Sequence, residues 1–268
     1  MSHRVVLLTN RSRGAMALAR AVVAEGLDLR MIVVGREPAP EKSKRLIPRM
    51  LRALIGDTLV NRIGALRQDP ALTHVMRVER RLFAEADIVL EGGINACGVL
   101  PGWPPGVTVT EVNSMNDAGT VADIRSASPA ALVVFGTGIL KRTVLEIAPA
   151  INAHTSLLPQ YRGTRSEFWQ CRRNDPAHVG ITIHLVDEGV DTGRVLYQRP
   201  TTTPWPTTPF HLRSLNTLEV IRHMPGVVRA FLERRLTPFA QPEGPGTTYR
   251  NRDITFADRQ ALFGHLEA

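Results

Sequence analysis

Apolar residues come in short runs separated by polar, Gly- and Pro-bearing breaks. Residues 4–9 (RVVLLT) are almost continuously apolar, which predicts a buried strand. Residues 10–14 break the run, and 15–24 have helical composition. Residues 29–35 (LRMIVVG) predict a second strand. From 36 to 85 the pattern becomes helical: Leu46, Met50, Leu51, Leu54 and Ile55 recur at helical spacing with arginines between them, predicting one or two amphipathic helices. Residues 87–90 (DIVL) and 107–112 (VTVTEV) predict further strands on either side of a Gly- and Pro-rich loop at 92–106. A helix is expected near 119–127. Residues 131–135 (ALVVF) read as a central strand covered on both faces, followed by a helix near 141–148 and a strand ending at 150–154. Residues 166–173 (SEFWQCRR) predict a helix with Ser166 as its cap. Residues 180–186 (GITIHLV) alternate, so Thr182, His184 and Val186 share one face and Ile181, Ile183 and Leu185 the other. Residues 194–197 predict a returning strand.

Strand, turn and helix in succession predict an α/β fold: a Rossmann-like, doubly wound and mostly parallel sheet with helices on both faces. After Pro200 the composition shifts. TTTPWPTTPF reads as a linker, Leu212–Arg235 as one long helix or two broken near Pro225, and the tail from Pro238 as short extended stretches. The expected division is a catalytic domain over 1–203 and a small helical and extended C-terminal appendage over 204–268.

The 268 residues suit one large domain or a domain with an appendage, and can bury a sizeable core. The formal net charge is +8, with 33 Lys and Arg. That balance fits an anionic small substrate, nucleic acid, or a merely basic protein, and charge alone does not separate the three. Nine of the arginines fall in 36–85, where they read as a solvated helix face rather than a nucleic-acid surface. The two cysteines, Cys97 and Cys171, stand outside any metal-like cluster, which argues against a zinc site or disulfide framework and for a reducing, cytoplasmic compartment. The opening MSHRVVLLTNRSRGA has too short an apolar run for a signal peptide, and no stretch approaches the ~18 apolar residues of a membrane span.

The stretch INAHTSLLPQYRG, 151–163, concentrates the candidate chemistry. Asn152 and His154 lie two apart at a strand end, so they share a face. An imidazole can move a proton near neutral pH, and an amide can donate to a developing oxyanion. Ser156 follows without a nucleophile-elbow context, so serine hydrolysis is not indicated. The first turn, NRSRG, has one glycine and is neither a dinucleotide fingerprint nor a P-loop. Asn10, Arg11, Ser12 and Arg13 can hold a phosphate at the helix start, or form an ordinary turn with Ser12 as cap and two solvated arginines. Asn113, Ser114, Asn116 and Asp117 read first as turn and N-cap chemistry and second as lining of a site.

INAHTSLLPQYRG, followed at 180–195 by GITIHLVDEGVDTGRV, resembles the formyltransferases that use 10-formyltetrahydrofolate. That family includes glycinamide ribonucleotide, methionyl-tRNA and nucleotide-sugar N-formyltransferases. The resemblance is clear over about 110–200, weaker over 1–110 and absent beyond roughly 203. It implies 10-formyltetrahydrofolate as formyl donor and a primary amine as acceptor. It also implies Asn152, His154 and Asp191 as catalytic residues, with Asp191 the acidic residue that precedes Thr-Gly. Phe135, Gly136, Thr137, Gly138, Ile139 and Leu140 would form part of the pterin pocket, with Asp187, Glu188, Gly189 and Val190 beside them.

Acceptor contacts are expected from Asn10, Arg11, Ser12, Arg13, Asn113, Ser114, Tyr161, Arg162 and His184, with Trp103, Trp169 and Trp205 as further aromatics. His184 also reads as a hydrogen-bonded histidine at a sheet edge. The first turn departs from the Gly-rich, phosphate-binding turn of the glycinamide ribonucleotide enzymes. The lead expectation is formyl transfer to a small biosynthetic amine, such as a nucleotide-linked amino sugar. A methionyl-tRNA formyltransferase, a 10-formyltetrahydrofolate hydrolase and a non-catalytic folate-binding relative are the alternatives. No membrane is involved in this reading, nucleic acid is not the expected partner, and the C-terminal helix either covers the sheet or pairs two subunits in a homodimer.

Overall fold

A computed structural model of the chain describes residues 3–36, 69–244 and 246–268. The amphipathic helices expected around Leu46, Met50, Leu51, Leu54 and Ile55 lie outside the described residues. The strands are β1 Arg4–Asn10, β2 Asp28–Gly35, β3 Thr108–Val112, β4 Ala131–Phe135, β5 Ala150–His154, β6 Tyr161–Gly163, β7 Gly180–Leu185, β8 Val195–Pro200 and β9 Thr247–Tyr249. The helices are α1 Arg13–Ala24, α2 Pro70–Ala96, α3 Ala118–Ser126, α4 Arg142–Leu145, α5 Ser166–Arg172, α6 Pro209–Leu232 and α7 Phe256–Phe263.

The main sheet runs β3-β2-β1-β4-β5-β7-β8, and β6 pairs with β9 in a separate ladder. From β3 to β5 all pairings are parallel. β7 then runs antiparallel to β5, and β8 antiparallel to β7. The expected doubly wound α/β architecture is therefore present, with helices on both faces of a mixed sheet.

Alternation along the strands sorts their side chains between two cores. Val5, Leu7, Ala131, Val133, Ile151, Ala153, Ile181 and Ile183 pack with Leu18 of α1 and with Leu218, Ile221, Met224 and Val228 of α6. Val6, Leu8, Leu132, Val134 and Ala150 point the other way, against Val121 and Ile124 of α3 and Val144 of α4. The central strands are apolar on both faces, which is why they read as unbroken apolar runs. α4 is a single turn, shorter than the helix expected over 141–148.

Two expectations are corrected and one alternative is resolved. Residues 87–90 are not a strand but the middle of α2. Its buried positions Val75, Val78, Leu82 and Ala86 recur at helical spacing, while Ile88 is 70% exposed. The helix also takes in Gly92 and Gly93 of the expected loop. A Cβ on Gly93 would lie 2.3 Å from Leu218 Cδ1, so the glycine lets α6 approach closely. Of the two alternatives around Pro225, one long helix or two, the structure has the one: α6 runs continuously to Leu232. A proline inside a helix costs roughly 3 kcal/mol, but each buried aliphatic side chain contributes about 1.5–3 kcal/mol. Leu218, Val220, Ile221, Met224 and Val228 of the same helix are all buried. Finally, Ser166 does not cap α5: Arg165 occupies the N-cap position, and the serine turns inward.

Met1–Glu37 and Leu82–Asp253 form one compact unit, and Pro38–Arg81 with Ile254–Ala268 a second. The first contains the whole main sheet and α6. In the second, a capping box of Thr255 and Asp258 opens α7, Phe263 is buried, and Arg259 Nη1 lies 3.1 Å from Glu79 Oε2. Among the described residues no helix is long and apolar enough to cross a membrane, and no cluster of three His, Cys, Asp or Glu could hold a metal ion.

Candidate active site

Strand register brings the candidate residues together. Val134 of β4 pairs with Asn152, and across the antiparallel ladder Asn152 pairs with His184 and His154 with Thr182. Directly paired residues share a face. Asn152, His154, Thr182 and His184 therefore lie on the face of Val134, opposite the core that takes Ile151, Ala153, Ile181 and Ile183. His184 is on an interior strand, not at the sheet edge.

Both ring nitrogens of His154 are engaged. Nε2 lies 2.6 Å from the Tyr161 carbonyl oxygen, which can only accept, so this nitrogen carries a proton. Nδ1 lies 3.3 Å from Asp191 Oδ2. A ring facing acceptors on both sides fits the doubly protonated form. The same carbonyl accepts from Ser156 Oγ at 2.8 Å and Ser166 Oγ at 3.3 Å. His184 Nδ1 faces the Leu185 carbonyl at 2.8 Å, and its Nε2 lies 3.1 Å from Asn152 Nδ2. Asp191 Oδ1 is farther from that nitrogen, at 3.5 Å, so the amide is the nearer partner. His154 and His184 are buried, whereas Asn152 and Asp191 are partly exposed.

Asp191 reaches the two histidines from a loop with a left-handed backbone, φ 52° at Asp191 itself. Its Oδ2 also accepts the Gly163 N–H at 2.7 Å. Burial alone would raise the carboxyl. The charge on His154, then contacts with His184 and the Gly163 N–H, outweigh burial and hold it well below the ordinary carboxylate range. The loop turns back directly under the end of β7: a Cβ on Gly193 would fall 1.7 Å from the Leu185 oxygen.

The other predicted residues divide. The 136–140 segment follows β4 on the site side, with Ile139 76% exposed and Leu140 buried. Asn116 braces it, accepting from Lys141 N at 2.7 Å and donating to the Ile139 carbonyl at 3.0 Å. Phe135 instead packs into the core shared with α1 and α6, away from Asn152 and His154. Thr137 Oγ1 is bonded to the Gly138 carbonyl. Asp187 Oδ1 braces its own loop through Gly189 N and Thr192 Oγ1, and Glu188 and Val190 are exposed. Ser114 Oγ accepts from Asn116 N, Asn113 Oδ1 from Arg36, and Asp117 makes no side-chain cap bond.

Ser12 caps α1 as expected, accepting from Ala15 N at 3.2 Å. Its neighbours are exposed and paired with carboxylates. Arg11 pairs with Glu111, and Arg13 Nη1 lies 2.8 Å from Asp87 and 3.1 Å from Glu91. Asn10 sits at the end of β1, its Oδ1 buried without a hydrogen-bond partner. The Tyr161 ring points away from His154: it stacks on Tyr249 and donates its hydroxyl to Asp175 at 2.7 Å. Arg162 Nη2 donates to Gln241 Oε1 at 3.0 Å. Trp169 stacks on Tyr249, Trp205 donates to Asn174, and Trp103 packs on the core. Sequence reasoning missed Ser166, the backbone groups of Tyr161 and Gly163, and Gln241. Backbone donors and acceptors carry no residue-type signature, and a lone glutamine in a tail gives none either.

Residues 101–204 match the formyl transferase family model, and that segment holds Asn152, His154, His184 and Asp191. Methionyl-tRNA formyltransferase of Sulfurovum sp. (strain NBC37-1) is 31% identical over 169 residues, covering 61% of this chain and 55% of that protein. The chain thus spans about half the length of that curated relative. A sugar N-formyltransferase from Shewanella sp FDAARGOS_354 shares the fold at 16% identity and a TM-score of 0.56, over 97% of this chain and 86% of that one. Phosphoribosylglycinamide formyltransferase from Bacillus halodurans does so at 16% identity and 0.55, over 87% and 96%.

Proposed function

We propose that the chain, which carries a formyl transferase domain over residues 101–204, moves a formyl group from 10-formyltetrahydrofolate to a primary amine. The observation that carries this reading is the convergence of Asn152, His154 and Asp191 at the carboxyl end of β5, with Asp191 3.3 Å from His154 and both Asn152 and Asp191 beside His184 Nε2, at 3.1 and 3.5 Å. The donor supplies the formyl group. The residues fit it in one respect: the 136–140 and 187–190 segments flank the site and leave Ile139 and Val190 exposed, as apolar contacts for a flat ring.

Asn152 meets negative charge developing on the formyl oxygen with the amide hydrogen not given to His184. His154, held between the Tyr161 carbonyl and Asp191, supplies positive charge beside it, and the proton that the attacking amine loses passes through water held at Asp191 to the departing folate nitrogen. Asp191 orients the His154 ring through Nδ1. No nucleophilic side chain is required, because the amine itself attacks.

The acceptor we favour is a small amine, such as an amino sugar carried on a nucleotide. An aminoacyl-tRNA acceptor is the second reading, favoured by the methionyl-tRNA formyltransferase relative. The test is calorimetric binding of 5-formyltetrahydrofolate to the wild type and to Asp191→Ala, then formyl transfer to nucleotide-linked amino sugars and to methionyl-tRNA. Folate binding that weakens in the variant supports the donor site. Absence of binding at high concentration overturns the reading. Turnover of the tRNA alone, with steep salt dependence, selects the second acceptor.

A further inference from the structure

We propose that Gln241, outside both sequence motifs and outside the family match, is a positioning residue for Asp191. The proposal rests on the formyl-transfer reading. Gln241 Nε2 donates to the Asp191 carbonyl at 2.7 Å and to the Gly193 carbonyl at 3.0 Å. The amide cannot be turned the other way round, because Arg162 Nη2 donates to its Oε1 at 3.0 Å. One side chain therefore ties the acidic loop to the residue next to Gly163, whose N–H binds the Asp191 carboxylate.

The tie matters because of where it acts. Asp191 holds a left-handed backbone, φ 52°, which is unfavourable for a non-glycine residue. Hydrogen bonds to its own carbonyl and to that of Gly193 hold the chain that leaves this strained residue. Release of the two carbonyls lets the backbone relax, and the carboxylate then leaves His154 and His184 together. Position errors of about 1 Å at such a pair can cost on the order of 100-fold in rate. The backbone around Gln241 is itself anchored nearby: Phe239 bridges Val195 of β8, with Phe239 N bonded to the Val195 carbonyl at 2.9 Å.

The experiment compares Gln241→Glu and Gln241→Ala with the wild type. Glutamate keeps the size and the acceptor for Arg162 but loses both N–H donors, so a packing role survives it and a donor role does not. We expect both variants to lower kcat roughly 10–100-fold with the KM of the folate changed less than about threefold. The second readout is carbon-13 NMR titration of the Asp191 carboxyl, which needs no turnover. In the variants it should titrate closer to the ordinary carboxylate range. Wild-type kcat in Gln241→Glu, or an unmoved Asp191 titration in both variants, overturns the proposal. A wild type that titrates as expected but transfers no formyl group counts against the proposed function and leaves the NMR comparison decisive for Gln241.

Discussion

Asn152 Nδ2 faces His184 Nε2 at 3.1 Å across the β5–β7 ladder. His184 Nδ1 faces the Leu185 carbonyl, and its Nε2 faces the amide nitrogen of Asn152, with Asp191 Oδ1 farther off at 3.5 Å. One amide hydrogen is held by the imidazole and the second remains to serve an oxyanion. Asn152→Ala should lower kcat by roughly 10²–10³-fold with little change in KM, as loss of one oxyanion donor does. His184→Ala should cost less, roughly tenfold, because it frees the amide without removing it. Steady-state kinetics on both variants tests the order: a larger loss in His184→Ala would mean that the imidazole itself meets the substrate.

His154→Ala and Asp191→Asn should each abolish measurable transfer, by roughly 10²–10⁴-fold, while the circular dichroism spectrum stays that of the wild type. Asn at 191 can still accept the Gly163 N–H, so the loss reports the charge rather than the loop. Near-wild-type turnover in either variant would remove that residue from the mechanism.

Much of this site was legible in the sequence. Asn152 and His154 sit two apart on a strand, and alternation over 180–186 placed His184 opposite the aliphatic face. Both are local patterns. The run at 87–90 misled because a four-residue apolar stretch has no period of its own, and the helix around it became clear only from which side chains are buried. Pro225 left one helix or two open, because its local cost is offset by packing against residues far away in the chain. The pairing of Asp191 with the Gly163 backbone N–H and the contacts of Gln241 join positions 28 and 50 residues apart. No spacing rule reaches that far.

The depressed Asp191 carboxyl predicts a pH dependence with a definite sign. In the unfolded chain an aspartate titrates at about 3.9, and in the fold Asp191 titrates below that. Its ionised pairing therefore stabilises the fold at all pH values above about 3.9, and this contribution is lost as pH falls from there toward the folded value. Urea unfolding of wild type and Asp191→Asn should show the wild type more stable at neutral pH, with the gap closing only in that acidic window. A gap that closed between roughly pH 5 and 7 would assign the ionisation to another group.

The return of the acidic loop under β7 leaves no room at Gly193. A Cβ there would meet the Leu185 carbonyl oxygen at 1.7 Å, a backbone atom that cannot rotate away. At Gly189 the obstacle is Thr192 Oγ1 at 2.0 Å, the end of a side chain that can. Gly193→Ala should therefore displace the Asp191 loop and lower kcat by roughly 100-fold or more, and Gly189→Ala by roughly tenfold or less. Equal effects in the two variants would show that the loop tolerates displacement near β7.

Arg13 separates a phosphate-binding turn from a structural one. Its guanidinium is engaged by Asp87 and Glu91, and Arg11 beside it by Glu111. A phosphate arriving there would compete with three carboxylates and gain little from either arginine. Arg13→Ala should thus change the KM of a phosphate-bearing acceptor less than about twofold, and its stability cost should stay within the ~0–1 kcal/mol of an exposed ion pair. A tenfold rise in that KM, absent with a dephosphorylated acceptor, would instead show that substrate displaces the acidic partners.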